Sequence, residues 1–162
     1  VVVEPMRCEG EIVSSTFIRE LVREGKIAKA NKLMGGRFPM ELEVVHGQAV
    51  GRTWNFPTIN QIIPENQVKP KFGVYCSRVL IDGRWYDGVT NIGIKPTVEV
   101  KTGPLAETFI MGYEGDLYGR ILRLELFEFI RAEKKFASLE ELKAEIAENK
   151  RFAQEYFKNL KG

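Results

Sequence analysis

The feature that most restricts this 162-residue chain is a change of hydrophobic period near residue 40 and a change back near residue 130. Met40, Leu42 and Val44 alternate with Glu41 and Glu43, the pattern of a half-buried strand. Leu122, Leu124 and Leu126 alternate with Arg123 and Glu125 in the same way within residues 120–130. Between these limits, strands are expected over residues 72–81, 84–90 and 107–113. Asp82-Gly83 separates the first two and suits a type I′ turn, which needs positive φ at both positions. The central region has no room for crossover helices, so its strands must pair antiparallel.

Helical spacing flanks this β region on both sides. Ser14-Ser15-Thr16 is a hydroxyl-rich N-cap, followed by Ile18, Leu21 and Val22, with Gly25 as the stop. A second short helix over residues 27–34 puts Ile27, Ala30 and Met34 on one face before Gly35-Gly36. Residues 1–12 carry no period and read as a lead-in. Near the C-terminus, Ser138 and Glu141 form a capping box. The helix it opens can turn Leu139, Leu142, Ile146, Ala153 and Phe157 towards the body. The expected fold is mainly β: an antiparallel, Greek-key-like barrel of about six strands, with a short N-terminal helical hairpin and a long C-terminal helix.

Several functional classes are disfavoured at once. A net charge of +2 gives no concentrated basic face for nucleic acid. No apolar run approaches the about 20 residues a membrane helix needs. Cys8 and Cys76 lack metal-like spacing and read as free thiols of a reducing cytoplasm, and the single histidine, His46, excludes a multi-histidine metal site. Neither a Walker-type phosphate loop nor a strand-linked Gly-x-Gly-x-x-Gly string is present.

Residues 44–60, Val-Val-His-Gly-Gln-Ala-Val-Gly-Arg-Thr-Trp-Asn-Phe-Pro-Thr-Ile-Asn, are the best candidate for a phosphate-binding element. Gly47 and Gly51 let backbone amides approach a ligand closely. Arg52 adds a guanidinium that matches phosphate. Thr58 and Asn60 are two apart behind Pro57, so an extended segment points both to one side. A hydroxyl and an amide oxygen there suit a hard cation such as Mg2+ carrying phosphates. The competing reading is an ordinary surface loop in which both make local turn bonds.

Four ordered segments carry a resemblance to riboflavin kinases. Residues 51–60, with Gly51, Arg52, Phe56, Pro57, Thr58 and Asn60, resemble the Gly-Arg-x-x-Gly-Phe-Pro-Thr-Ala-Asn signature of that family. Gly88-Val89-Thr90-Asn91-Ile92-Gly93 with Lys95-Pro96-Thr97 resembles a second family segment. Glu107-Thr108-Phe109-Ile110, followed by Asp116-Leu117-Tyr118-Gly119, resembles the strand that carries the catalytic glutamate. Ile130-Arg131-Ala132-Glu133-Lys134-Lys135-Phe136 resembles the segment that contacts the flavin.

The resemblance implies transfer of the ATP γ-phosphate to the ribityl 5′-hydroxyl of riboflavin, giving FMN and ADP, with Mg2+ or another divalent cation. It assigns Glu107 as general base and Thr58 and Asn60 as the metal and phosphate ligands. The loop from Gly47 to Phe56 becomes the phosphate cover, with Arg131 and Phe136 beside the isoalloxazine. Tyr118 is placed at the nucleotide site or, equally, as an aromatic packed in the core at a strand start.

Residues 13–19, Val-Ser-Ser-Thr-Phe-Ile-Arg, resemble a string near the end of the adenylyltransferase domain of bacterial bifunctional riboflavin kinase/FAD synthetases. With Val1 in place of an initiator methionine, the implied organisation is the tail of an upstream adenylyltransferase over residues 1–36 and a kinase barrel over residues 37–162. FAD synthesis is not expected of these residues alone. Against the family pattern, Gln48-Ala49-Val50 and Trp54-Asn55 replace glycine-containing stretches, Ile59 an alanine, Phe109 a histidine and Asn149 an aspartate. None of these removes a residue assigned direct chemistry. The alternative is a flavin- or nucleotide-binding module of the same fold with little turnover.

Overall fold

A computed structural model describes residues 4–47, 58–94 and 103–161. The chain opens with a small hairpin, β1 (Arg7–Cys8) and β2 (Glu11–Ile12), then α1 (Ser15–Arg23) and α2 (Ile27–Met34). The main sheet comprises β3 (Phe38–Val45), β4 (Thr58–Ile62), β5 (Gly73–Ile81), β6 (Arg84–Gly93), β7 (Leu105–Ile110) and β8 (Ile121–Ala132). A final helix, α3 (Leu139–Leu160), closes the chain. The main strands form a closed barrel in the order β3-β4-β7-β6-β5-β8, with every pairing antiparallel. In this order β5, β6 and β7 form a meander and β4 lies beside β7, which is Greek-key connectivity.

Alternation divides the two faces. Met40, Leu42, Val44, Leu122, Leu124, Leu126, Tyr75, Val79, Ile81, Ile92 and Ala106 fill one continuous apolar cluster. Ser77, Thr90 and Thr108 share their inward parity and form a chain of hydroxyls across β5, β6 and β7. Thr90 Oγ1 lies 2.7 Å from Ser77 Oγ and 2.7 Å from Thr108 Oγ1. Three buried hydroxyls satisfy one another, as burial without water demands.

The helical hairpin belongs to the same cluster through Leu21, Val22, Ile27, Ala30 and Leu33. Asn31 fixes it to the sheet: its buried Nδ2 donates to Leu126 O at 2.9 Å, and its Oδ1 accepts from Phe38 N at 2.7 Å. On the opposite, outer face of the barrel, α3 packs Ala153 and Phe157 over Cys76 and Phe127. Arg78, paired with Asp87 at 2.6 Å, lies over the rings of Phe127 and Phe157. Burial beside Glu128 pushes the Cys76 thiol up to about 12, so this cysteine stays a protonated core residue.

The expected elements are present, with five adjustments. Residues 7–12 form a hairpin whose turn residues Glu9 and Gly10 both have positive φ, as do Asp82 and Gly83 in the expected hairpin. Residues 58–62 are a full barrel strand, and β7 begins earlier and ends at Ile110 because Gly112, at φ 71, turns the chain away. Met34 faces outward and Leu33 takes the inward position, because α2 is only eight residues long and ends there on left-handed Gly35. Leu139 is also exposed, being the first residue of α3, while Ala153 and Phe157 further along are buried.

Candidate functional site

Parity places the candidate chemistry outside the barrel. Ile59, Gln61, Ala106, Thr108, Thr90 and Ile92 face inward, so their neighbours in β4, β7 and β6 face outward. Register then aligns them: Thr58 opposes Phe109, and Asn60 opposes Glu107, which in turn opposes Asn91 of β6. Thr58 Oγ1 donates to Glu107 Oε1 at 3.1 Å. The hydroxyl behind Pro57 and the acid from β7 are thus in direct contact, although separated by almost fifty residues in the chain.

Gly47 explains why Asn60 is buried at a position on the outer face. A Cβ on Gly47 would lie 2.6 Å from Asn60 Cγ and overlap its Nδ2. The room gained by omitting a side chain at residue 47 is occupied by the Asn60 amide, so the glycine positions a candidate site residue. Beside it, His46 stacks on Tyr118 with ring centroids 3.5 Å apart. Tyr118 is 54% exposed, which places it outside the core and against the end of β3.

The second part of the site lies at the end of β8 and on α3. Arg131 Nε–H donates to Asn149 Oδ1 at 3.3 Å, and Glu145 Oε1 is 3.0 Å from the same nitrogen. The guanidinium carbon is 5.7 Å from the Phe136 ring centroid, and Lys134 Nζ is 5.5 Å from it. Arg131 and Phe136, both assigned to the flavin, therefore meet. A Cβ on Gly93 would lie 2.9 Å from Glu133 Cδ and overlap its carboxylate, so the segment after β8 rests on the end of β6. Asn91, two residues back on β6, stands beside Glu107. Lys150 of α3 lies 4.9 Å over the ring of Phe109. The outer faces of β4, β7 and β6 are thus bordered by α3 and residues 131–136.

Of the sequence candidates, Gly47, Thr58, Asn60, Glu107, Tyr118, Arg131 and Phe136 fall in the described residues. Thr58 joins Glu107, Asn60 joins Gly47, and Arg131 joins Phe136. Gly51, Arg52, Phe56 and Pro57 lie outside the described residues, as do Ala49, Trp54 and Asn55. Sequence reasoning gave no role to Asn91, Glu133, Glu145 or Lys150. The signal for Asn91 was strand parity with Val89. For Glu145 it was a charged residue one turn before Asn149 on the inward stripe of an amphipathic helix.

Hard oxygen donors are concentrated at one end of this arrangement and a cation–aromatic wall stands at the other. No group of three or more His, Cys, Asp or Glu residues that would hold a metal by itself occurs among the described residues. Among them, too, no helix is long and apolar enough to cross a membrane.

Comparison with known proteins gives a consistent placement. The chain is 34% identical over 161 residues to the bifunctional riboflavin kinase/FMN adenylyltransferase of Bacillus subtilis, covering 98% of this chain and 51% of that protein. It is 41% identical over 152 residues to the protein of the same description from Escherichia coli K12, covering 93% and 48% respectively. The chain therefore spans about half the length of these relatives. A crystal structure described as a macrolide-efflux protein from Streptococcus pneumoniae superposes with a TM-score of 0.85 at 29% identity, over 95% of this chain and 50% of that one. The flavokinase family profile, described as riboflavin kinase, matches residues 34–157, which include the whole barrel and nearly all of α3. With that match and these relatives, the chain belongs to the riboflavin kinase family.

Proposed function

We propose that this chain transfers the γ-phosphate of ATP to the ribityl 5′-hydroxyl of riboflavin, with Glu107 as base and Thr58 and Asn60 at the metal–phosphate end. The single observation that carries the residue assignment is the Thr58–Glu107 contact at 3.1 Å. It brings the acid to the residues that would bind phosphate, where an attacking hydroxyl must lie in line with the γ-phosphorus. The Glu107 carboxylate accepts the 5′-hydroxyl proton as the oxygen–phosphorus bond forms and the bond to ADP breaks. FMN and ADP are the products.

The donor set fits a magnesium ion carried in by the nucleotide better than a cation resident in the protein. Thr58 and Asn60 offer a hydroxyl and an amide oxygen, and the described residues hold no carboxylate cluster. Magnesium characteristically keeps several waters and binds through few protein ligands together with phosphates. When bound, such an ion supplies neutralisation of phosphate charge. Arg131 and Phe136 would hold the isoalloxazine by guanidinium and ring contact, and Gly51, Arg52, Phe56 and Pro57 would cover the phosphates. Tyr118, stacked on His46 at the edge of the site, would border the nucleotide.

Residues 1–36 are read as the tail of an upstream adenylyltransferase, in keeping with the two activities in the relatives' names. Conversion of FMN to FAD is assigned to that unit and not to these 162 residues. A reducing cytoplasm supplies both substrates and suits the two free thiols, Cys8 and Cys76.

Chromatographic detection of FMN, with Mg2+ and ATP, tests the reaction. FMN formation by wild type is expected, and a folded sample that binds riboflavin but forms no FMN would leave only the binding-module reading. Glu107→Gln is expected to keep riboflavin binding while turnover falls by about 10²-fold or more, as for a lost general base. Undiminished turnover removes Glu107 from the chemistry.

A further inference from the structure

Arg131 is the last charged residue of β8, but the groups that orient it come mostly from α3. Its Nη1 donates to the carbonyl of Ala132 at 3.1 Å, and its Nε–H donates to Asn149 Oδ1 at 3.3 Å. Glu145 Oε1 stands 3.0 Å from that Nε, while Glu145 Oε2 lies 3.5 Å from Lys134 Nζ. The two oxygens of one carboxylate therefore face two cations, and both cations lie beside the ring of Phe136. The side chains of Arg131 and Glu145 are only 20% and 25% exposed, against 57% for Lys134. Arg131 and Glu145 form the shielded core of the cluster, and Lys134 closes it on the solvent side.

Glu145 and Asn149 are one helical turn apart, so both reach the same guanidinium from one helix face. Their contributions differ. Asn149 accepts the directed hydrogen bond, whereas Glu145 supplies the one carboxylate paired with Arg131 among the described residues. A guanidinium that recognises a planar heterocycle must be held in one plane, since its donors form a rigid fork.

We infer that Glu145 is a positioning residue for the flavin: its carboxylate holds Arg131 and Lys134 against Phe136 so that the three present one fixed wall to the isoalloxazine. The inference rests on the riboflavin kinase reading and adds to it a determinant on α3, outside the four segments that carry the family resemblance. Because Glu145 acts through Arg131 and not on phosphate, its loss affects riboflavin and spares ATP.

Steady-state kinetics and quenching of riboflavin fluorescence test this on the full 162-residue chain. Glu145→Gln keeps shape and removes charge. KM for riboflavin and the fluorescence Kd are expected to rise together by about 3- to 10-fold, the scale of a part-buried charge pair. The expected changes in kcat and in KM for ATP are below about twofold, since in this reading the reacting hydroxyl and the phosphates lie at the Thr58–Glu107 end. In Glu145→Gln/Asn149→Asp the charge returns from the next turn, at the atom that already contacts Arg131, and riboflavin KM is expected to recover to within about twofold of wild type. A wild-type riboflavin KM in Glu145→Gln overturns the inference. So does a fall in kcat, ATP affinity and melting temperature together, which is what a purely structural role predicts, or a double variant no better than the single one. A wild-type chain that neither quenches riboflavin fluorescence nor forms FMN instead removes the function on which the inference stands.

Discussion

Replacing Gly47 by alanine separates two effects that a single melting curve would merge. Gly47 is not among the glycines with positive φ, so alanine meets no backbone strain there. Through the entropy of the unfolded chain alone, such a change stabilises a protein by about 0.4–1 kcal/mol. The added methyl, however, would sit 2.6 Å from Asn60 Cγ and overlap the amide nitrogen. Asn60 is 7% exposed and has a short side chain, so it must rotate out of its well. A displacement of about 30° costs roughly 0.5–1.5 kcal/mol. The two terms nearly cancel, and Gly47→Ala by itself is expected to shift stability by about 1 kcal/mol or less in either direction.

The informative quantity is the coupling between the two positions. In an Asn60→Ala background the clash partner is gone and only the entropic gain remains. The two values of ΔTm for Gly47→Ala, with and without Asn60, should then differ by roughly 1–6 °C, taking about 2–4 °C per kcal/mol for a chain of this size. Thermal melts of wild type, both single variants and the double variant measure this difference. FMN formation by Gly47→Ala should fall well beyond what its small stability change explains, because the displaced group belongs to the proposed phosphate end of the site. Equal shifts in both backgrounds would refute the idea that Gly47 exists to make room for Asn60.

Two further outcomes follow from the barrel itself. Thr90→Val preserves shape but leaves Ser77 and Thr108 without their central partner, and should cost about 1–3 kcal/mol in urea unfolding; an unchanged midpoint would mean the hydroxyl chain contributes nothing. Glu128, whose carboxyl burial holds above its ordinary value of 4.5, should weaken the fold at neutral pH. Its folded form binds a proton more readily than its unfolded form, so stability from this group is fully present only in acid and is lost as pH rises through the folded pKa. Glu128→Gln should therefore melt slightly higher than wild type at neutral pH. The two curves should converge as pH falls below 4.5; a gain that is independent of pH would rule out this cause.

Legibility in the sequence followed the range of the interactions involved. Alternation within a strand is local, and β3, β5, β6 and β8 could be read from it. Asp82-Gly83 is equally local, because its positive φ values arise inside two residues. β4 was harder to read, since its five residues include Thr58, Asn60 and Gln61, all polar. They become a strand through pairing with β7, a partner more than forty residues away. The hairpin at residues 7–12 escaped for the opposite reason: two residues per strand are too few to show a period.

The site divides along the same line. Thr58 and Asn60 could be assigned to one side because parity is a property of one strand, and Glu107 because of family resemblance. Their meeting is a matter of register between β4 and β7, which no single segment encodes. By sequence Gly47 offers space for a ligand's approach, but in the fold that space is occupied by Asn60. Nothing in the sequence sets Glu145 apart from Glu140 and Glu148 on the same helix. What distinguishes it is that α3 crosses the barrel with this turn beside the end of β8. A charge there acquires two partners and loses most of its solvent, whereas Glu148, one further turn along but round the helix, pairs with Arg151 at the surface. Helical phase decides between them: Glu145 shares its face with Asn149 and Ala153, and that face is the one α3 buries.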